Sequence, residues 1–486
     1  MDLPLQSLRP FSGIIVLLAL AGCAAVPDLG PRPAPIALAN IAAGRSLAPQ
    51  AAGEWPREDW WQAYGDPQLA ALIEEGLRNS PDVAAATARY RRAGGLARQA
   101  GAATLPSLDV QGDANLEKQS YNNGFPREFL PQGWQDTGQL AGAFNFDLDL
   151  WGRNRAGLAA ATSEQRAAAI EARQARLMLA TGIASAYVDL ARLHLERDIR
   201  AAELEGYIET QHLIRDRNAN GLETRGTLRQ ADAELANARV ALNAADEAIT
   251  LRRNQIAALI GAGPDRGLTV VRPKLPEIRP DGLPADLTTN LVGRRPDVVA
   301  ARERMEAAAS RIRMARADFF PALRLSALFG VQSLGLENLF KGGSDFGSVG
   351  PAFTLPVFHG GELRGRYRVS RADYDAAVAD YDRTVLGAYQ QVADAVTTSR
   401  KVNERLADAR SALAASEDAY KVARLRYEGG LSNYLDVLVI HDRLLQVRLA
   451  VAGLEGAARS ADIALIRALG GGFADEGDTS KDTSHG

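Results

Sequence analysis

The chain predicts an α+β fold, mostly α, made of two tandem structural repeats. Each repeat holds a long antiparallel helical hairpin and a pair of amphipathic strands. Three observations predict it. The first is a stretch that occurs twice: Asn79-Ser80-Pro81-Asp82-Val83 runs on to Leu105-Pro106-Ser107-Leu108, and Arg295-Pro296-Asp297-Val298 runs on to Phe320-Pro321-Ala322-Leu323. Both pairs of prolines lie 215 residues apart, and a repeat of that kind sets the architecture before any element is assigned. The second is a proline-free run from Asn154 to Arg217, about 60 helical residues that would span roughly 90–100 Å. The third is a hydrophobic period of two, the mark of a half-buried strand, that appears four times.

Composition agrees. The 486 residues are rich in Ala, Arg, Leu, Glu and Asp, with 6% aromatics and a formal net charge of −3. That suits long helices and gives no nucleic-acid signal. The histidines (His194, His212, His359, His441, His485) are scattered and show no metal-ligand spacing. There is no phosphate loop and no nucleophile elbow, so no catalytic site and no cofactor is expected.

In chain order, Arg9 precedes an apolar run from Phe11 to Ala21 that is too short to span a bilayer and fits a signal-peptide core. The run ends in Leu20-Ala21-Gly22-Cys23, and Cys23 is the only cysteine. This resembles a bacterial lipobox, which makes residues 1–22 a signal peptide and Cys23 the lipidated first residue. Several acyl chains at about 0.8 kcal/mol per buried methylene anchor durably. The Pro/Ala-rich residues 23–60 are expected to be an extended strap. Repeat 1 covers 61–262. Leu69, Leu72, Ile73 and Leu77 share one helical face, and Ser80-Pro81 caps and starts a second helix. Strands follow at about 106–117, with Leu108, Val110, Gly112, Ala114 and Leu116 on one side, and at about 139–150. Trp151-Gly152-Arg153 then leads into the long helix, which turns at Asn218–Gly221 and returns to Ile260. Residues 263–285 form a Pro-rich linker. Repeat 2, 286–469, has strands at about 321–332 and 348–358, a helix from Glu362 to Glu428, a tip at Gly429-Gly430-Leu431-Ser432 and a last helix to Leu469. Residues 470–486 are expected to be a disordered tail.

Four strands of about ten residues, apolar on one side only, match outer-membrane barrel strands in length. Four cannot close a barrel, and hydrocarbon does not tolerate open edges, so the sheet must close by oligomerisation. Two, three or four copies would each satisfy the pattern.

With these residues in hand, the sequence resembles the outer-membrane efflux family of the TolC/OprM type, in its lipoprotein branch. The carriers are the Cys23 lipobox, Trp60-Trp61-Gln62-Ala63-Tyr64-Gly65-Asp66-Pro67-Gln68-Leu69, Arg294-Arg295-Pro296-Asp297-Val298, Ala315-Arg316-Ala317-Asp318-Phe319-Phe320-Pro321 and Leu355-Pro356-Val357-Phe358. The resemblance implies a homotrimer that completes a twelve-stranded outer-membrane β-barrel, four strands per protomer, on a periplasmic α-barrel. It implies the exit duct of a tripartite pump, with a periplasmic adaptor and an inner-membrane transporter as partners. Outer-membrane lipid surrounds it, and the only attached group is the covalent lipid at Cys23. The adaptor would meet the helix tips Gly221, Leu222, Gly430, Leu431 and Ser432. The periplasmic gate would involve Asp436, Val439, Tyr427 and Thr227. Val439 stands where many members carry a second aspartate, and Asp436 and Val439 are expected to share a helical face with Ser432. Arg426 and Tyr427 are the expected partners of Asp436. In the barrel, Asp109, Asp113, Asp147 and Asp149 would form a negative lumen collar opposed only by Arg324, favouring cations. The alternatives are a duct for type I protein secretion and a lipid-anchored coiled-coil scaffold, although a scaffold has no use for four lipid-length strands.

The lipobox gives a direct expectation. Cys23→Ser should abolish acyl labelling of the protein and leave the signal peptide uncleaved by the lipoprotein route; undiminished labelling would exclude Cys23 as the anchor.

Overall fold

A computed structural model of the chain describes residues 26–47, 52–122, 124–276 and 282–475. The signal peptide, Cys23 and the last eleven residues fall outside that range. The helices are α1 Pro67–Asn79, α2 Pro81–Ala102, α3 Arg153–Ala219, α4 Arg225–Leu259, α5 Pro264–Leu268, α6 Leu287–Arg294, α7 Pro296–Ala317, α8 Glu362–Glu428 and α9 Tyr434–Ala468. Four long strands, β1 Ser107–Glu117, β2 Gln135–Asp147, β3 Ala322–Leu334 and β4 Asp345–Thr354, form one antiparallel sheet in the order β1-β2-β3-β4.

The duplication shows in the helix lengths. Helices α2 and α7 have 22 residues each, α3 and α8 have 67 each, and α4 and α9 have 35 each. The offset is 215 residues at the start of α2 and α7 but 209 at the start of α3 and α8. The six missing residues fall in the strand segment, where the β1–β2 connection is longer than the β3–β4 connection.

The chain divides into two compact units. One consists of 90–167 and 301–381 with the beginning of the chain. Its sheet carries the alternation across all four strands. Leu108 stands opposite Phe144, Phe144 opposite Ala327 and Ala327 opposite Val349. The next row is Val110, Gly142, Phe329 and Gly347. A side chain at Gly142 would meet the Phe329 ring at 2.8 Å, so the small residue makes room for the large one. The opposite face carries Asp109, Gln111 and Asp113 of β1 with Asn145 of β2 and Arg324 and Ser326 of β3. On the apolar face Leu108, Val110, Val349 and Phe353 are 61–78% exposed, so these positions are left uncovered among the described residues. Among the described residues strands β1 and β4 are paired on one side only. Pro351 lies in β4, and an edge strand is where a residue without an N–H is tolerated.

Two strand limits differ from the sequence expectation. Strand β2 ends at Asp147 rather than near 150, because Asp149 adopts a left-handed conformation, φ 45°. Its carboxylate caps α3: Oδ1 accepts from the Asn154 backbone N–H and Oδ2 from that of Arg155, both at 2.9 Å. Short polar side chains tolerate that backbone region, and a carboxylate at a helix start is favourable. Strand β4 ends at Thr354, so Leu355 and Val357 lie beyond it. At the foot of the sheet Trp151 stacks on Phe320 at 4.7 Å, and its indole donates to the Pro321 carbonyl at 2.8 Å. The strap is held within this unit by Arg371, whose guanidinium donates to the Gly30 and Pro31 carbonyls.

The other unit consists of 36–89, 168–300 and 382–486. Its core gathers Trp60, Tyr64, Leu69, Leu72 and Ile73 against Ile183, Tyr187, Leu190, Ile256 and Ile260. The expected linker is partly structured: α5 occupies 264–268, and Leu283–Pro284 pairs in parallel with Ala52–Gly53. Of the expected tail 470–486, residues 470–475 are placed and the rest lies outside the described residues. The chain is placed as far as Asp475, with Phe473 6% exposed, because an aromatic side chain beyond the glycine stop finds a buried site.

Asp66 ties these parts together. It caps α1 through the Gln68 N–H at 2.9 Å, accepts from the Tyr187 hydroxyl at 2.8 Å and accepts from the Lys274 N–H of the linker at 2.9 Å. Burial pushes the Tyr187 phenol up, so it remains a donor. Tyr187→Phe should cost about 2 kcal/mol, the scale of a hydrogen bond to a charged group. Hydrogen exchange over α1 would then accelerate by about thirtyfold, and unchanged exchange would show that the bond adds nothing.

Candidate functional site: the hairpin tips

The two hairpins of the second unit end in the same local structure. After α3, Gly221 at φ 76° lets the Leu222 N–H reach the Arg217 carbonyl at 2.8 Å; after α8, Gly430 at φ 73° lets the Leu431 N–H reach the Arg426 carbonyl at 2.8 Å. Both are glycine-terminated helix ends of the kind that satisfies orphan carbonyls. The returning helices are capped alike. The Thr224 hydroxyl accepts from the Thr227 N–H at 3.1 Å, and the Asn433 side chain accepts from the Asp436 N–H at 2.9 Å. Leu222 and Leu431 are left 67% and 75% exposed at the turns.

The expected site residues separate into two groups. Asp436 and Val439 stand in the first turns of α9, Asp436 exposed and Val439 61% exposed. Among the described residues the Asp436 carboxylate has no hydrogen-bond or ion-pair partner. Ser432 precedes the helix cap, so it does not share their face as expected; it is half-buried and its hydroxyl is unpartnered. Thr227 is engaged with the Thr224 hydroxyl at 3.0 Å, part of the helix start.

Tyr427 does not turn to Asp436. It is 3% exposed, and its hydroxyl donates to the Glu223 carboxylate of the other hairpin at 3.1 Å. The Arg217 guanidinium lies over its ring at 4.9 Å and near Glu223 at 3.9 Å. Burial, reinforced by Glu223, pushes the Tyr427 phenol up to about 12. Glu223, Tyr427 and Arg217 thus clasp the two tips. Sequence reasoning missed Glu223 and Arg217, although both lie within four residues of Gly221 or the turn that it makes. The reason is that a clasp joins residues about 200 apart in the chain.

A second cluster sits behind the clasp. His441 of α9 lies edge-on to Tyr207 of α3 at 5.1 Å and tilted against Tyr420 of α8 at 5.0 Å. The Tyr207 hydroxyl donates to Asp442 at 3.3 Å. Around the same rings stand Glu203 of α3, Glu234 of α4 and Arg448 of α9. Burial holds the His441 imidazole below its ordinary range; Asp442 opposes the shift and Arg448 adds to it.

In the sheet, Asp109 and Asp113 lie on the polar face as expected. Asp147 stands opposite Arg324 in register, with 3.7 Å between their charged groups, so this pair offsets itself. Asp149 is a helix cap rather than a lumen residue.

A sheet with an uncovered apolar face and two open edges, in a chain with paired long helical hairpins, defines the class of outer-membrane channels whose β-barrel continues into a helical barrel. The outer membrane efflux protein family model matches residues 72–262 and 287–471. The chain belongs to this family: it is the outer-membrane exit duct of an efflux pump, with a long periplasmic part. The fusaric acid resistance protein FusA of Burkholderia cepacia is 34% identical over 368 residues, 74% of this chain and 68% of that protein. The multidrug resistance outer membrane protein MdtP of Escherichia coli is 30% identical over 434 residues, 87% of this chain and 88% of that one. Among solved structures, the Vibrio cholerae outer membrane protein VceC is 43% identical with a TM-score of 0.82, covering 86% of this chain and 100% of that one.

The His441 cluster carries a sign that can be checked. A histidine held below its ordinary value while packed is neutral there, and the unpacked form takes up a proton below about 6.5. Its packing is therefore fully favourable above that pH and weakens as the pH falls. Hydrogen exchange in the last turns of α8 should rise between pH 7.5 and 5.5, after correction for intrinsic rates. His441→Phe should remove most of that rise.

Proposed function

We propose that three copies of the chain close twelve strands into one barrel, and that the hairpin tips form the periplasmic mouth of the resulting duct. The observation that carries this is the four-stranded sheet with its uncovered apolar face. A face of that kind suits hydrocarbon, and its two free edges require partners there. The duct performs no chemistry of its own and conducts passively. Cys23 carries the covalent lipid. A periplasmic adaptor meets the tips at Gly221, Leu222, Gly430, Leu431 and Ser432, and an inner-membrane transporter supplies the cargo. That cargo is small toxic compounds, in keeping with relatives named for fusaric acid resistance, multidrug resistance and toluene efflux. Asp109 and Asp113, repeated three times on the polar face, give the barrel a preference for cations.

At the mouth, Asp436 and Val439 face away from their own protomer, and threefold repetition makes a ring of carboxylates beside a ring of valines. Like charges at close range raise one another's pKa, and a narrow apolar ring can gate by excluding water. The clasp of Tyr427 on Glu223 holds each protomer's tips together until an adaptor separates them. Asp436→Ala combined with Val439→Ser should raise single-channel conductance in planar bilayers and admit large antibiotics such as vancomycin. A double variant that conducts like the parent would move the gate elsewhere.

A further inference from the structure

The second unit contains a cavity of about 430 Å³ between the segment at Glu58–Trp61, helix α3 around Arg173–Leu177, and the C-terminal turn at Gly470–Phe473. It is within the size range of small-molecule sites, and it lies apart from the clasp and gate residues. Its polar lining is unbalanced. The Trp61 indole N–H is buried and, among the described residues, has no acceptor. Arg173 lies over the Phe473 ring at 5.7 Å, but among the described residues no carboxylate pairs with it. The same is true of Arg176, one helical turn further along α3. Of the two acids on the wall, Asp59 is already paired with Arg57 at 3.1 Å, which leaves only Glu58 opposing two guanidiniums. The buried Trp61 N–H and the two exposed guanidiniums thus line one cavity, and with Asp59 held by Arg57 the remaining wall charges are two positive and one negative.

We propose that this cavity is a binding site for an organic monoanion, a carboxylate on a planar apolar body. Arg side chains present a planar fork that matches a carboxylate, and Arg173 and Arg176, three apart on one helix, stand on one face. The Trp61 N–H supplies the remaining donor. An acceptor there removes the cost of leaving it unpaired. Phe473 and the tryptophan rings provide the apolar wall for an aromatic body. Glu58 sets the charge limit: one negative charge balances the wall, and a second would meet Glu58. Because the ligand contacts α3 and the C-terminal turn together, it would raise the thermal midpoint of the folded protein.

The full-length protein in lipid nanodiscs, titrated with 2-naphthoate in a calorimeter, tests this. The expected result is saturable binding at one site per protomer that weakens as salt is raised. Its neutral isostere 2-naphthalenemethanol should bind at least about tenfold more weakly. Arg173→Gln with Arg176→Gln should lose at least tenfold in affinity while keeping the parent's thermal midpoint without ligand, and Trp61→Phe should lose a few-fold. Equal affinity of the parent for the two probes overturns the proposal, as does undiminished binding in the double variant. The absence of saturable binding to the parent up to millimolar probe also overturns it, with ordered water then the occupant of the cavity.

Discussion

An unpaired backbone N–H or C=O inside hydrocarbon costs several kcal/mol, and that constraint governs this protein. The sheet of one protomer has two such edges, β1 and β4, and an apolar face that water would penalise. Neither is repaired among the described residues, where no further strand joins the sheet. The protomer therefore carries an open piece of a barrel, a four-stranded sheet that needs further copies to close. Pro351 on β4 does not weaken this, since an edge residue without an N–H still presents its carbonyl to a neighbour.

The duplication meets that constraint economically. Each copy supplies two strands and one hairpin of 67 and 35 residues. The copies have diverged where the demands on them differ. The six-residue difference falls in the strand segment, whereas helix lengths, which must agree for two hairpins to end together, are unchanged. The tips follow the same rule. Gly221 and Gly430 make the same turn, but hairpin one contributes Glu223 and Arg217 to the clasp and hairpin two contributes Tyr427.

Periodic features were legible in the sequence. The 215-residue repeat, the four alternating strands and the helix starting at Ser80-Pro81 all follow from side-chain faces and caps, which are local. Features that depend on one residue's backbone, or on a partner far along the chain, were not. Asp149 continued the polar alternation and so read as a lumen charge, but its left-handed backbone turns it to cap α3. Tyr427 and Asp436 are near neighbours in sequence, yet Tyr427 bonds to Glu223 across the hairpins. Phe473 lies past three glycines, where composition signals an end to order, and only tertiary packing could place it. The gate reading of Asp436 and Val439 came through family resemblance, and their exposure in the protomer leaves them free for that role.

Closure of the sheet by identical copies is the claim on which the rest depends, and counting those copies tests it most directly. Native mass spectrometry of the folded protein released from lipid nanodiscs should give a mass of three mature chains, with no folded monomer at any protein concentration that supports conductance. A conducting protein of one chain, with its strands intact, would contradict it.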